Sequence, residues 1–182
     1  MVNKMDKEML AQLLIQEYGQ PQAFFRDTNL TSQIAVKYQQ NMFLREPTFC
    51  DATYKLGGLL GTHRFQIIST HGRCIDKISA HPEWGLCIWK PNTLFKIIDV
   101  TESIANTQIT LLDVPPILLP FFSSSRSATI EEMFAQQARE CFTEALALTI
   151  LPELDSSEWR ERVMHPIGLD NNGDIYAIIG NS

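Results

Sequence analysis

The sequence predicts a single α+β domain built on a mainly antiparallel sheet. Between Thr53 and Val114, short apolar and β-branched runs alternate with Gly, Pro and Asn, a pattern typical of strands and turns. The connections are too short for the crossover helices that parallel neighbours require. A helical pattern follows this block. We therefore expect about five to seven strands, N-terminal helices, and one long helix in the C-terminal half packed on a face of the sheet.

The composition is that of a globular protein of ordinary single-domain size. With 182 residues, 45% hydrophobic and 20% charged, we expect one domain over residues 1–182. The formal net charge of −6 and the pI near 5.2 weigh against binding to nucleic acid or to an anionic membrane surface. No apolar run has the length of a membrane span, and the N-terminus lacks a signal-peptide pattern. We expect a cytoplasmic location.

The four cysteines are widely spaced and form no C-x-x-C pair, so the sequence indicates neither a zinc knuckle nor a redox motif. They are Cys50, Cys74, Cys87 and Cys141. Free cysteine packs like a small hydrophobic residue. We therefore expect reduced, partly buried thiols.

Two helices are expected before the strand-rich block. Residues 6–18 place Leu10, Leu13 and Leu14 at helical spacing, and the Gly and Pro that follow supply a stop. Residues 24–46 are ambiguous, because apolar residues recur every four positions but some also alternate like a strand. The length of this segment favours a helix that ends before Pro47.

Within the strand-rich block, residues 53–70 predict two strands that meet in a hairpin near Gly61-Thr62. Four further runs of strand length follow, at residues 74–79, 85–90, 94–100 and 108–114. The glycine-rich stretch 56–61 lacks the spacing of a phosphate-binding loop. Its glycines indicate close backbone approach instead.

The C-terminal third predicts a long helix, a short helix and a hairpin. Thr129 and Glu132 form a capping box at the start of a helix that runs to about Ile150. A short helix through about Met164 follows a second capping pattern, and the tail is expected to turn at residues 171–173. Alternating Asp and Asn in that turn resemble a calcium loop, but its glycine is misplaced.

One polar cluster beside the expected hairpin is the candidate ligand site. Its members are His63, Arg64, His71, Arg73 and Asp76. The arginines would hold an anionic ligand while a histidine moves a proton. Two alternatives are a Cys74 nucleophile beside an imidazole and a zinc or iron site. A regular strand would place His63 and His71 roughly 26 Å apart, so only a turn or bulge could bring them together.

Two functional hypotheses follow. The first is a non-catalytic protein-interaction or regulatory module, because catalytic signatures are missing, the chain is acidic, and Trp84, Trp89 and Trp159 are available for an interface. The second is a small enzyme or anionic-ligand-binding protein with its pocket at the polar cluster. Neither hypothesis includes a cofactor or metal. We expect another protein as partner, and the apolar run 114–122 is compatible with a buried crossing or with homodimerisation.

Overall fold

The computed structural model describes residues 19–176, and its centre is one sheet of eight strands. The strands are β1 (Gln22–Thr28), β2 (Phe43–Glu46), β3 (Cys50–Thr53), β4 (His63–Ser69), β5 (Arg73–Cys74), β6 (Leu86–Trp89), β7 (Thr93–Glu102) and β8 (Thr107–Asp113). Their order across the sheet is β2-β7-β8-β4-β1-β3-β6-β5. Every neighbouring pair is antiparallel except β4 and β8, which are parallel. The α+β class and the mainly antiparallel sheet are confirmed, with more strands than predicted.

Four α-helices lie in the described part of the chain. They are α1 (Ser32–Ala35), α2 (Leu119–Phe122), α3 (Ala128–Ala147) and α4 (Ser157–Val163). Short 3-10 turns occupy Asp76–Ile78, Pro82–Trp84, Pro116–Leu118, Ser125–Ser127 and Pro152–Leu154. Of the run predicted as a strand at 74–79, only Cys74 is in a strand, and Asp76–Ile78 form a 3-10 turn. The predicted helix 6–18 lies outside the described residues.

The helix predicted for residues 24–46 is wrong. This segment contains β1, the single-turn helix α1 and β2. β1 lies inside the sheet between β4 and β3, so it is hydrogen-bonded on both sides. Phe24 and Phe25 are buried on its opposite faces. Burial of both faces outweighs the four-residue periodicity, because packing contributes more than intrinsic helix propensity.

The hairpin predicted at Gly61-Thr62 is also wrong, because β1 lies between β3 and β4. The connection from β3 to β4 passes over the end of β1, where Asp27 Oδ2 accepts a hydrogen bond from Leu60 N at 3.0 Å. A Cβ atom at Gly61 would lie 2.4 Å from the backbone oxygen of Thr28. The glycine allows this close crossing, where the sequence pattern indicates a tight turn.

The long helix α3 lies against β7 and β8 through polar as well as apolar contacts. Lys96 Nζ on β7 lies 2.7 Å from Glu131 Oε1, and both side chains are buried. On β8, Gln108 Nε2 donates to the backbone oxygen of Ala138 at 2.9 Å. Beyond the helix, Gly58 N donates to the Thr149 oxygen at 2.9 Å, which joins the glycine-rich loop to the end of α3.

The remaining apolar features divide between core and surface. In the run 114–122, Val114 and Phe122 are buried while Ile117 is 75% exposed. The run is thus neither wholly a crossing nor wholly a docking surface.

Within residues 19–176, no helix combines the length and the apolar character needed to cross a bilayer.

Candidate functional site

The structure distributes the five predicted site residues over separate places. His63 begins β4, and its ring Nδ1 lies 2.8 Å from the Thr62 hydroxyl. His71 follows the other end of that strand. Arg73 is exposed on the short edge strand β5, and Asp76 lies in a 3-10 turn. None of these four residues lines a cleft together with Arg64.

Arg64 is buried, but its partner is a carboxylate of the protein itself. Its Nε and Nη2 atoms donate to the two oxygens of Asp27 at 2.6 and 2.7 Å. Both side chains are nearly inaccessible to solvent. This bidentate pair joins β4 to β1 and leaves the guanidinium poorly placed to hold a second anion.

The cysteines differ from the sequence-based expectation. Cys74 and Cys87 form a disulfide between β5 and β6, so the prediction of four reduced thiols is wrong. Cys74 is therefore unavailable as a nucleophile. Burial raises the pKa of the Cys50 thiol to about 12, which keeps it protonated and unreactive. A disulfide persists in oxidising compartments, which weighs against the predicted cytoplasmic location.

The part of the chain that the structure describes contains no assembled metal site. No three potential metal ligands among His, Cys, Asp and Glu converge there. The turn that resembles a calcium loop binds its own backbone. Asp170 Oδ1 accepts from Asn172 N at 2.8 Å and from Asp174 N at 2.9 Å. These bonds are those of an Asx-type turn.

A different place in the fold combines buried charge with open space. Residues 164–176, which we call the strap, run across the end of β1 and past β2. Between the strap and the segment that follows β2 lies a cleft of about 640 Å³. Its wall includes Arg26, Ile34, Glu46, Thr48, Phe49, Arg162, His165, Asp170 and Tyr176. This volume is in the range of small-molecule sites.

Arg26 is the buried cation of this cleft. Only 5% of the residue is exposed, and the Cys50 thiol and the Asp51 carboxylate are near enough to feel its charge. Nη1 donates to the Asp51 oxygen at 3.3 Å, and Nη2 donates to the His165 oxygen. Among residues 19–176, Nε has no hydrogen-bond partner. A buried guanidinium with an unused donor is costly unless an anion completes its contacts.

A second arginine lies at the edge of the same cleft. Arg162 Nε lies 2.9 Å from Asp51 Oδ2, and 40% of the arginine side chain is exposed. The other carboxylate oxygen, Asp51 Oδ1, is buried without a partner in the described residues. Burial raises the pKa of the Asp51 carboxyl, although Arg162 and Arg26 oppose this shift.

Aromatic side chains stand at the mouth of the cleft. Phe49 lines the cleft and is 61% exposed. The Tyr176 ring lies 5.3 Å from the guanidinium carbon of Arg45. The cleft thus combines cations with a free aromatic face, and aromatic faces can stack against a planar base.

The sequence contained one signal for this site. In F-F-R-D-T, Phe24, Arg26 and Thr28 share a face if the segment is a strand. A charged residue on a buried strand face is rare unless it is paired or functional. The helical interpretation of residues 24–46 concealed this signal.

No protein-family model and no curated protein matches the chain. Solved structures give partial likenesses. The type III effector XopAI of Xanthomonas axonopodis pv. citri is 18% identical, with a TM-score of 0.47 over 54% of this chain and 46% of that one. The ADP-ribosyltransferase HopU1 of Pseudomonas syringae pv. tomato is 16% identical, with a TM-score of 0.47 over 52% and 45%. The chain thus spans about half the length of these proteins.

Exoenzyme S of Pseudomonas aeruginosa, in complex with human 14-3-3 protein beta and carba-NAD, is 12% identical, with a TM-score of 0.44 over 67% of this chain and 68% of that one. At these values the likenesses assign no activity and no residue role to this chain.

The hypothesis of a non-catalytic protein-interaction or regulatory module is nevertheless corrected. Trp84, Trp89 and Trp159, the aromatics on which that hypothesis depended, are all buried in the core. The prediction of protein binding as the main activity therefore loses its support.

Proposed function

We propose that this protein binds a nucleotide-like anion, a phosphate-bearing ligand with a planar base, in the cleft beneath the strap. The phosphate is held by Arg26 and Arg162, and the base stacks on Phe49. This proposal keeps the idea of an anionic-ligand site but moves it from the polar cluster at residues 63–76 to the cleft.

The observation that carries the proposal is the unused Nε donor of Arg26. Phosphate oxygens accept hydrogen bonds from guanidinium groups in a fixed, often bidentate geometry. Nε and one Nη point to the same side of a guanidinium, so a phosphate that meets Nε can also compete for that Nη donor. The protein itself supplies mainly backbone oxygens to Arg26, which leaves room for a stronger acceptor.

Calorimetric titration tests this proposal, with ADP-ribose, NAD, ADP and inorganic phosphate as probes. NAD is included because exoenzyme S was solved with its analogue carba-NAD. We expect Arg26→Met to weaken binding about 10- to 100-fold, since a hydrogen bond to a charged group contributes about 1.5–3 kcal/mol. Arg162→Met, at a more exposed position, tests the same phosphate contact with less effect on folding.

Arg73→Met is the matched control, because Arg73 is exposed and lies outside the cleft. It should bind each probe as the unchanged protein does. Loss of binding in Arg73→Met alone would instead support the polar cluster of residues 63–76. If no probe binds the unchanged protein, the proposal is wrong.

The same samples show whether a bound ligand is turned over. Nicotinamide released from NAD would identify cleavage of its glycosidic bond, as ADP-ribosyl transfer requires. Binding of ADP-ribose without release of nicotinamide would identify a binding site alone. The protein partner, the homodimer and the cytoplasmic location stay predictions.

A further inference from the structure

A second cavity in the fold shares no residue with the cleft beneath the strap. It lies where β4 and β8 end, against α2 and the first turns of α3, and its volume is about 90 Å³. One water molecule takes about 30 Å³ in the liquid, so the cavity has room for a chain of roughly three or four carbon atoms. Most of its wall is apolar and includes Ile68, Leu112, Leu118, Phe122, Ile130 and Phe134.

Asp113 is the one ionisable residue among the described residues that line this cavity. The strands β4 and β8 are parallel and Ile68 pairs with Leu112, so the next residues, Ser69 and Asp113, end the two strands side by side. Only 5% of the Asp113 side chain is exposed. A carboxylate in such a place is costly unless hydrogen bonds and an opposite charge compensate for the lost water.

The two oxygens of this carboxylate have different surroundings. Oδ2 accepts from the Ser69 hydroxyl at 2.6 Å and lies 3.3 Å from His71 Nδ1. The Ser69 hydroxyl in turn accepts from Trp89 Nε1 and from the His71 backbone N–H, so its hydrogen-bonding capacity is used. Among residues 19–176, no group donates to Oδ1. Oδ1 is therefore the atom that can accept a hydrogen bond from a ligand.

The charge of Asp113 is also only partly compensated. Within residues 19–176, no lysine or arginine forms an ion pair with it, and His71 carries a charge only when it is protonated. Burial raises the pKa of the Asp113 carboxyl, although the bonds from Ser69 and His71 oppose the shift. A ligand that brings a positive charge and an N–H donor would stabilise the carboxylate, whereas an anionic ligand would be repelled.

We infer that this cavity binds a primary amine on a short apolar chain. The ammonium group donates to Asp113 Oδ1, and the chain packs against Ile68, Leu112 and Phe134. A hydrogen bond between charged groups is stronger than one from a neutral hydroxyl, so the site prefers an amine to the alcohol of equal length. The inference does not rest on the proposed nucleotide cleft, because no residue lines both places.

Titration with n-butylammonium chloride tests this inference, followed by NMR of the Met133 methyl group at the cavity wall. The signal is assigned by its loss in Met133→Leu. At about pH 8, an ordinary imidazole is neutral and an alkylamine is protonated. We expect a saturable shift at millimolar concentrations, as suits a ligand of about five non-hydrogen atoms.

Two further probes separate the charge from the chain. The alcohol 1-butanol has the same chain without the charge, and we expect it to bind about 10-fold more weakly. Methylammonium chloride has the charge without the chain, and the loss of three buried CH₂ groups should weaken its binding by more than about 10-fold.

Asp113→Asn removes the charge and keeps the shape of the side chain. We expect it to lower the affinity for butylammonium about 10-fold, to that of 1-butanol, and to leave the affinity for 1-butanol unchanged. Urea denaturation of the same sample shows that the variant is folded. Glu132→Gln is the matched control, because it removes a carboxylate of α3 beside Met133 that does not line the cavity. It should bind each probe as the unchanged protein does.

Three results would overturn the inference. If butylammonium produces no saturable shift, the site does not exist. If 1-butanol binds as tightly as butylammonium, or if folded Asp113→Asn keeps its affinity for butylammonium, the carboxylate does not recognise the amine. Equal losses in Asp113→Asn and Glu132→Gln would attribute the effect to the net charge of the protein. A loss of butylammonium binding confined to Asp113→Asn supports the site.

Discussion

Two buried arginines on neighbouring strands have opposite surroundings, and this difference separates a structural residue from a ligand-binding one. Arg64 and Asp27 are paired in register, so their side chains meet on one face of the sheet. Arg26 is adjacent along β1 and points to the other face. There it meets backbone oxygens. The Asp27 carboxylate neutralises the charge of Arg64, whereas the hydrogen bonds of Arg26 go to uncharged backbone oxygens.

The pair between Arg64 and Asp27 gives a stability prediction. Asp27→Asn leaves the buried guanidinium of Arg64 without its counter-charge, which we expect to lower the free energy of unfolding by about 3–5 kcal/mol. The double change Asp27→Leu with Arg64→Met should recover most of this loss, because no charge is then left buried. Urea denaturation measures both. A single variant within about 1 kcal/mol of the unchanged protein would contradict the structural role.

At the level of strands, Asp113 ties the end of β8 to its neighbours. Its Oδ2 accepts from the Ser69 hydroxyl on β4 at 2.6 Å, and the Ser69 hydroxyl also accepts from Trp89 Nε1 on β6 at 2.9 Å. Burial raises the pKa of the Asp113 carboxyl, although the bonds from Ser69 and His71 oppose the shift. A folded-state pKa above the unfolded value means that the folded protein binds this proton more tightly.

The direction of the Asp113 pKa shift predicts how stability depends on pH. The contribution of Asp113 to the free energy of unfolding is largest at low pH and falls as pH rises from the ordinary carboxyl range, about 4, through the raised folded-state pKa. Asp113→Asn cannot ionise, so the variant should gain stability relative to the unchanged protein across this window. Urea denaturation at several pH values from about 3.5 to 7 measures the difference. A constant difference, or one of opposite sign, would contradict the assignment.

The strands show how much of the sheet can be predicted from the sequence. The runs that became β4, β6, β7 and β8 are apolar, β-branched and bounded by Gly, Pro or Asn, so local residue preferences locate them. The sequence pattern does not predict β1, because its neighbours in the sheet come from distant parts of the chain and only their pairing buries both of its faces. The false hairpin has the same cause, since the strand inserted between β3 and β4 precedes both of them in sequence.

In the whole molecule, the candidate site depends on contacts that no local pattern reveals. The strap reaches Arg26 and Thr28 from 139 and 136 residues away in the chain. The polar cluster of residues 63–76 is dense in sequence, but the sheet spreads it over different strands and turns. Proximity along the chain was thus a poor guide to proximity in space. The disulfide between Cys74 and Cys87 likewise depends on the pairing of β5 with β6.

The central claim, that Arg26 binds the phosphate of a nucleotide-like ligand, is tested most directly by NMR of the arginine Nε–H groups. The Arg26 signal, assigned by its loss in Arg26→Met, should shift on addition of ADP-ribose, because its unused donor gains a phosphate acceptor. The Arg64 signal should not move, since Asp27 already holds that group. Saturation with ADP-ribose that leaves the Arg26 signal in place would contradict the account.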